Sequence, residues 1–210
     1  LEGRTSIVAT FTGKSGKIQN ATIDANLTGS RLSIPELNWA KPEDANATLK
    51  ANLEIKPGDV IEISNIDASG REIKAQGRLV LTGGKVTEAD FKKLELGKRN
   101  DVALQFRSSG GVGDTVDVKG RPLDAAGLFD SSDEDDRAPA KPGDKNPLRI
   151  TAELGTLHLQ GGVSLGSVKF GYTDDGVHLT QFKIAAVDQN ARVRGEMTTA
   201  ADGARKLRFE

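Results

Sequence analysis

Few side chains in this chain of 210 residues have the types and spacing that catalysis requires. The absence of cysteine excludes a thiolate nucleophile, a disulfide framework and cysteine-ligated zinc or iron–sulfur sites. The two histidines, His158 and His178, each stand between apolar neighbours, so strand alternation predicts that both point to solvent. No serine lies in a nucleophile-elbow sequence that would anchor a Ser-His-Asp triad. We therefore expect no catalytic residue and no enzyme activity.

An acidic run offers the best spacing for a metal ion, and a short Gly-Lys-Ser sequence offers the best spacing for a phosphate. Asp130 and residues 133–136 carry clustered carboxylates, which are ligands for calcium, but Asp135 stands where an EF-hand needs glycine. Residues 131–146 lack an apolar period, and this predicts a solvated loop. Gly13-Lys14-Ser15 lacks the earlier glycine of a phosphate-binding loop, since Val8 occupies that place. We expect no metal site and no cofactor.

Charge and composition exclude other classes of partner. The net charge is -1 and the basic residues are scattered, so no field gathers a polyanion, and we expect no nucleic-acid partner. The few aromatic residues, 7 Phe with one Trp and one Tyr, do not favour base or sugar stacking. No apolar run approaches the roughly 18 residues of a membrane span, and the chain begins with Leu rather than Met. We interpret it as an excised piece whose targeting or anchoring segment lies elsewhere.

The elements that must position any site are predicted from alternation. Within residues 46–55 the odd positions are apolar and the even ones polar, which is the period of a strand with one wet face. The same period recurs along the chain and predicts about thirteen strands. Short turn sequences rich in Gly, Asp and Pro separate them, which indicates antiparallel hairpins and leaves no room for crossover helices. The fold class is therefore all-β.

Two stretches interrupt this rhythm. Residues 122–129, with Leu and Phe at helical spacing behind Pro122, predict one short helix. Residues 87–96 are ambiguous, and we favour a strand because they resemble a later hairpin. We accordingly divide the chain into a first β block (1–120), a helix with an acidic linker (121–146) and a second β block (147–210), which together form one continuous groove.

An internal echo supports a repeated hairpin unit. The first copy consists of the sequence around Ile63 and, after a turn, Ala75-Gln76-Gly77-Arg78-Leu79. The second copy consists of the sequence around Leu179 and, after a turn, Val193-Arg194-Gly195-Glu196-Met197.

Some thirteen strands present an aliphatic face that needs a partner. A sheet about 60 Å wide must curl, split or be covered. It can fold as a two-sheet sandwich that buries its own face, or as a strongly curved sheet whose apolar groove takes a ligand. Many inward positions are small, such as Ala47, Ala51 and Ala75, and these would fill a sandwich core poorly. This pattern favours the groove.

Several passages resemble the AsmA-like C-terminal regions of bacterial envelope proteins. The similarity is clearest from about residue 85 onward. The passages that carry it are Val116-Asp117-Val118-Lys119-Gly120-Arg121-Pro122-Leu123-Asp124 with the short helix after it, Leu148-Arg149-Ile150-Thr151-Ala152-Glu153-Leu154, Asp175-Gly176-Val177-His178-Leu179, and the closing Arg205-Lys206-Leu207-Arg208-Phe209.

The resemblance implies a repeating β-groove related to TamB-like and chorein-type bridge proteins, tethered to the inner membrane by a segment outside this chain. Such grooves carry phospholipid acyl chains across the periplasm, alone or with envelope protein partners, in outer-membrane biogenesis. We consider two alternatives: a self-buried structural or adhesive β-sandwich or solenoid, and an envelope hydrolase, for which no convergent carboxylates are visible. The expected lipid-groove residues are Leu49, Leu53, Ile55, Ile61, Ile63, Leu79, Leu81, Leu104, Phe106, Ile150 and Leu154.

Overall fold

The computed structural model describes residues 2–15, 17–129, 146–188, 191–199 and 204–210, and it is all-β, as predicted. Its strands are β1 (Glu2–Gly3), β2 (Ser6–Lys14), β3 (Lys17–Asn26), β4 (Ser30–Ile34), β5 (Trp39–Lys41), β6 (Ala47–Lys56), β7 (Val60–Gly70), β8 (Ile73–Thr82), β9 (Lys85–Leu96), β10 (Asn100–Ser108), β11 (Asp114–Asp124), β12 (Leu148–His158), β13 (Ser164–Asp174), β14 (Leu179–Asp188), β15 (Ala191–Thr199) and β16 (Arg205–Phe209).

Thirteen of these strands form one open sheet. Its order is β16-β15-β14-β13-β12-β11-β10-β9-β8-β7-β6-β3-β2, so most neighbours in space are also neighbours in sequence. The remaining three strands form a small sheet in the order β1-β4-β5. The main sheet is not closed, which leaves β2 and β16 as its two edges.

One pairing in the main sheet is parallel. β11 pairs with β12 in parallel, from Asp114 beside Leu148 to Asp124 beside His158, and the other pairings are antiparallel. A parallel pair cannot be joined by a tight hairpin, because the chain must return to the end of the sheet from which it started. Residues 125–147 make this connection. The boundary between the two predicted β blocks thus falls between neighbouring strands of one sheet.

Strand register sorts the side chains onto two faces of opposite character. In β6 the odd positions from Ala47 to Ile55 share a face with odd residues of β3 and β8, whereas Lys50 and Asn52 lie on the other face. The ladders carry this division from β2 to β16, because residues directly opposite each other in a sheet point the same way. We call the two sides the apolar face and the polar face.

Irregular pairings occur in six of the twelve ladders of the main sheet. In β7 the extra residue is Asn65, which has a left-handed φ of 50°, and Ile63 and Ile66 on either side of the bulge both reach the apolar face. A bulge bends its strand and increases the local twist. These bulges therefore curve a wide sheet and also explain why alternation is noisy in the sequence.

The internal echo has a structural counterpart on the apolar face. Gly77 in β8 lies under the ring of Phe91 from β9, and Gly195 in β15 lies under the ring of Phe209 from β16. A Cβ atom built on Gly77 would come 2.7 Å from the Phe91 ring, and one on Gly195 would come 2.6 Å from the Phe209 ring. Each copy of the echo is thus a hairpin strand whose glycine is covered by a phenylalanine of the next strand.

Both ambiguous stretches are now assigned. Residues 87–96 belong to β9, as favoured. The short helix is a 3-10 turn at Ala126–Phe129, and it begins later than the sequence pattern indicated because Pro122 continues β11. Pro122 is compatible with a strand here because the ladder to β10 ends at Gly120, so β11 pairs on one side only, with β12, at this point.

The small sheet and the 3-10 turn Pro35–Leu37 form a cap over one end of the apolar face. Leu32 of the cap packs against Ala25, Leu27 and Ala47, which line that end. The strands therefore have a capped end, where β6 begins, and an open end, where β6 finishes at Lys56.

Two polar residues on the apolar face fasten the cap. The Asn100 amide donates to the Leu37 carbonyl (3.0 Å), and its oxygen accepts from the Asp124 backbone N–H (2.8 Å). Asp124 is completely buried, and its carboxylate accepts from the Asn38 amide (3.1 Å) and pairs with the Arg99 guanidinium (3.0 Å). Burial of these groups is tolerated because each one is bonded.

A buried lysine organises the cap itself. The Lys41 side chain has no exposed surface, and its ammonium donates to the carbonyls of Ala45 (2.7 Å), Pro42 (2.8 Å) and Thr28 (3.5 Å). An ammonium has three donors, so this set satisfies it fully. The cap is therefore an ordered element and not a passive loop.

Replacing Asn100 with Ala should destabilise the fold by about 2–3 kcal/mol, because the Leu37 carbonyl and the Asp124 N–H lose their partner in a buried site. The free energy of unfolding in urea measures this. The matched control is Asn52→Ala, at an exposed position on the polar face, for which we expect a change within about 0.5 kcal/mol. Equal losses for both variants would contradict this account of the cap.

Candidate functional site

An uninterrupted row of apolar residues crosses eleven strands of the main sheet. Each member lies directly opposite the next one in the strand register, so the row runs perpendicular to the strands for about 48 Å at the usual strand spacing. Its members in order are Phe11, Ala21, Leu53, Ile63, Leu79, Ala89, Phe106, Val116, Ile150, Tyr172 and Phe182. We call this set the apolar row.

The eleven lipid-groove residues expected from the sequence all lie on the apolar face. Five of them, Leu53, Ile63, Leu79, Phe106 and Ile150, belong to the apolar row. The others flank it on either side, with Leu49, Leu104 and Leu154 toward the capped end and Ile55, Ile61 and Leu81 toward the open end.

Exposure on this face rises from the capped end to the open end. Near the cap, Val102 and Val168 are buried, and the predicted residue Leu154 is only 5% exposed. The other predicted residues are half-buried, except Ile55 at the open end, which is 43% exposed. Large aliphatic side chains in the interior of a two-sheet sandwich would be buried. Their partial exposure means that the apolar face is accessible from the open end.

Sequence reasoning missed several members of the row. Phe11 and Phe182 stand on the apolar positions of alternating segments, so the two-residue period of β2 and β14 is the signal that could have located them. Ala21 and Ala89 are buried beside larger neighbours and act as spacers in the row. The alternation that assigns each residue to a face is present within each strand. The register that aligns these residues into one row depends on pairing between strands, so it could not be predicted from any single strand.

Opposite charges are paired across the strands of the polar face. Arg78 pairs with Glu88 (2.8 Å), and Lys93 pairs with Asp101 (2.7 Å). The hydrogen bond from Lys93 holds the pKa of Asp101 below its ordinary value. Cross-strand pairs of this kind stabilise a sheet only modestly when they are exposed to water. The polar face thus behaves as a solvated surface.

A tyrosine and an aspartate mark the boundary of the apolar row at the open end of β13. Burial raises the pKa of the Tyr172 hydroxyl, and the hydrogen bond to Asp174 raises it further. Asp174 also accepts from the Leu148 N–H (3.1 Å) and the Gly176 N–H (2.8 Å). Tyr172 therefore contributes its ring to the apolar row and directs its hydroxyl to the polar margin.

The two histidines do not form a catalytic group with the described residues. His158 Nδ1 lies 2.8 Å from Ser164 Oγ across the β12–β13 hairpin, but no described carboxylate is within ion-pair distance of its ring to orient it. His178 is exposed, and its ring lies 3.8 Å from Asp175. The pKa of Asp175 is lowered because its carboxylate accepts from the backbone N–H groups of His178 and Val177.

No metal-binding cluster is present in the part of the chain that the structure describes. The acidic run from Asp130 to Asp136 lies outside that part. A cleft of about 650 Å³ lies between the cap and the β12–β13 turn, and Arg99 is the one charged group among its described lining residues. Since Arg99 already pairs with Asp124, the cleft supplies no acid–base pair.

No protein-family model, curated protein or solved structure matches the chain. Among the described residues, no helix has both the length and the apolar composition needed to cross a membrane.

Accessibility of the apolar face can be tested with single cysteines, since the chain has none of its own. Ile63→Cys, in the middle of the apolar row, should react with a water-soluble maleimide without denaturant, because the face is open there. Val168→Cys, which is 1% exposed on the same face near the cap, should react only after unfolding. If the two cysteines were equally protected from the maleimide in the folded protein, the apolar row would be covered.

Proposed function

We propose that this protein binds and conducts the acyl chains of phospholipids along the apolar face of its sheet. The observation that carries the proposal is the apolar row. Eleven neighbouring strands of the sheet each contribute one residue to it, and none of these residues is charged. A contiguous exposed apolar surface of this length is costly in water and indicates a binding surface.

The row fits hydrocarbon chains in its dimensions and chemistry. A bilayer core of about 30 Å holds two acyl chains end to end, so a row of about 48 Å accommodates roughly three. Each methylene group removed from water on this surface contributes about 0.8 kcal/mol. Aliphatic side chains such as Leu53, Ile63 and Leu79 give nearly equivalent contacts along the row. No position on the row is therefore much lower in free energy than the others for a bound acyl chain. Such a surface favours sliding over storage.

The self-buried alternative requires the same side chains to be inaccessible. The half-buried state of Ile63, Leu79 and Phe106 and the exposure of Ile55 instead support a ligand-binding face. We therefore favour lipid binding over a structural or adhesive module. In this proposal the protein acts physically and catalyses no reaction.

The resemblance to AsmA-like regions supplies the cellular setting of the proposal. We place the chain in the bacterial periplasm, as part of a protein that is tethered to the inner membrane through a segment outside these residues. There the apolar face would form one stretch of a lipid path between the inner and outer membranes, and other envelope proteins would be its partners. The order of the strands in this single sheet is compatible with such a path.

Leu53→Asp should reduce lipid binding strongly, because it places a charge in the middle of the apolar row. Its neighbour Asn52 points to the polar face, so Asn52→Asp adds the same charge without affecting binding. The measurement is the amount of fluorescent phospholipid that the purified protein retains after incubation with vesicles. Leu53→Asn replaces the same apolar side chain with a polar one that carries no charge. Reduced retention by this variant as well would show that the loss does not come from misfolding caused by a buried charge. Equal retention by Leu53→Asp and Asn52→Asp would count against the proposal.

The same pair of positions gives a test in living cells. A photo-crosslinking side chain at Leu53 of the complete protein should form adducts with phospholipid, whereas one at Asn52 should not. Mass spectrometry of the adducts identifies the lipid. No lipid adduct at either position would favour the self-buried structural module.

A further inference from the structure

A repeated pairing of lysine with an exposed aliphatic residue occurs at the open end of the strands. It appears at three hairpins: Lys17 precedes Ile18 in the β2–β3 hairpin, Ile55 precedes Lys56 in the β6–β7 hairpin, and Lys85 precedes Val86 in the β8–β9 hairpin. The three aliphatic residues are 50%, 43% and 42% exposed. We call this margin, from β2 to β9, the lysine rim; it also includes Lys14.

Three cations of the rim are without an anionic partner among the described residues. Lys56 is neutralised by Glu54 and Glu62, and its hydrogen bond with Glu62 raises its pKa. Lys14, Lys17 and Lys85 are exposed and make no ion pair with any described residue. With the turn residue Asp59, the margin carries three carboxylates against four lysines, which leaves an excess of one positive charge.

Two of these lysines face each other directly. Lys14 and Lys17 are register partners at the end of the β2–β3 ladder. Like charges placed opposite each other in a sheet are destabilising. An anion at this position would relieve the repulsion. By the strand register Lys14, Lys17 and Lys85 lie on the polar side of the strand ends, so their long, flexible side chains reach an anion beside the apolar face only by extending around the hairpin tips.

The remainder of the open end differs in charge. At β11 and β13 the corresponding margin carries Asp114, Asp174 and Asp175, whereas Arg205 and Lys206 begin β16 beyond them. Asp114 accepts from the Ser108 hydroxyl (2.6 Å), and Asp174 accepts from backbone N–H groups, so these carboxylates are not ion-paired with described lysines. Positive charge beside exposed aliphatic residues thus occurs at the β2–β9 margin and again at β16, where Lys206 precedes Leu207 (54% exposed), but not at the β11 and β13 margin between them.

We infer that the lysine rim binds the phosphate group of phospholipids whose acyl chains lie on the adjacent apolar face. The inference rests on the proposed function and adds a headgroup site to it. The chemistry is charge complementarity: lysine ammonium groups at the ends of strands whose other side is apolar match an anionic phosphodiester at the end of acyl chains that lie on that side. The rim requires a lipid that carries net negative charge or at least an exposed phosphate, and it gives no advantage to an uncharged lipid.

The test compares two lipids and two triple variants of the whole chain. Lys14→Gln/Lys17→Gln/Lys85→Gln removes the unpaired rim charges. Lys98→Gln/Lys119→Gln/Lys169→Gln removes three exposed lysines located on the capped-end turn and on the polar face, with the same change in net charge. Each protein is incubated with vesicles containing either a phosphatidylglycerol with a fluorescent acyl chain or a diacylglycerol with the same chain and no phosphate. The lipid retained after removal of the vesicles is then measured.

We expect the rim variant to retain roughly fivefold less phosphatidylglycerol for each lysine removed, with retention of diacylglycerol unchanged. The control variant should match the unmodified protein with both lipids. Undiminished phosphatidylglycerol retention by the rim variant, or an equal loss in the control variant, would overturn the inference while leaving the apolar groove intact. Tight binding of inorganic phosphate without lipid would overturn it as well, because the site would then recognise the free anion. Retention of neither lipid by the unmodified protein would refute the proposed function itself.

Discussion

One constraint governs this protein: a wide sheet has one apolar face, and the other described strands cover that face only at one end. Ordinary antiparallel sheets bury such a face against another sheet or a helix. Here thirteen strands share the face, and the described chain provides only a small cap at one end of it. The other features of the structure can be understood as ways of keeping this surface folded without covering it.

The cap and the small residues solve this problem at the capped end. Ala25, Ala68 and Ala75 lie there in one line across the strands, with Leu49 between the first two, and their small side chains leave space beside larger neighbours. Asn100 and Asp124 give the apolar face two polar anchors, which fix the cap in one position. The result is an asymmetric trough, since one long side is held by the cap and the other is open to water. Molecules that need both an apolar surface and contact with solvent are suited to this arrangement.

Much of the architecture could be predicted from the sequence, because a period of two residues is a local property. The strand at residues 46–55 and the turns between strands are encoded in this way, and each expected groove residue was assigned to the correct side of its own strand. The cap could not be predicted, since its anchors Asn100 and Asp124 contact Leu37 and Asn38 more than sixty residues away. The parallel pairing of β11 with β12 was also hidden, because nothing in either strand specifies its neighbour. The apolar row itself depends on ten such pairings and is therefore a property of the assembled sheet.

The shape of the row bears on whether a bound chain is stored or moved. A storage site surrounds its ligand and ends within the protein, because a closed pocket maximises contact with one molecule. The row instead begins at the edge strand β2, where Phe11 is 58% exposed, and the apolar face continues to the opposite edge, where Phe209 is 63% exposed. Between these edges no charged residue interrupts the row, and no member is distinguished by a polar partner except Tyr172. A surface that is uniform along its length and open at both edges gives little energetic preference for one position. In the proposed function, net movement of acyl chains along it would therefore come from a difference in lipid supply at its two ends.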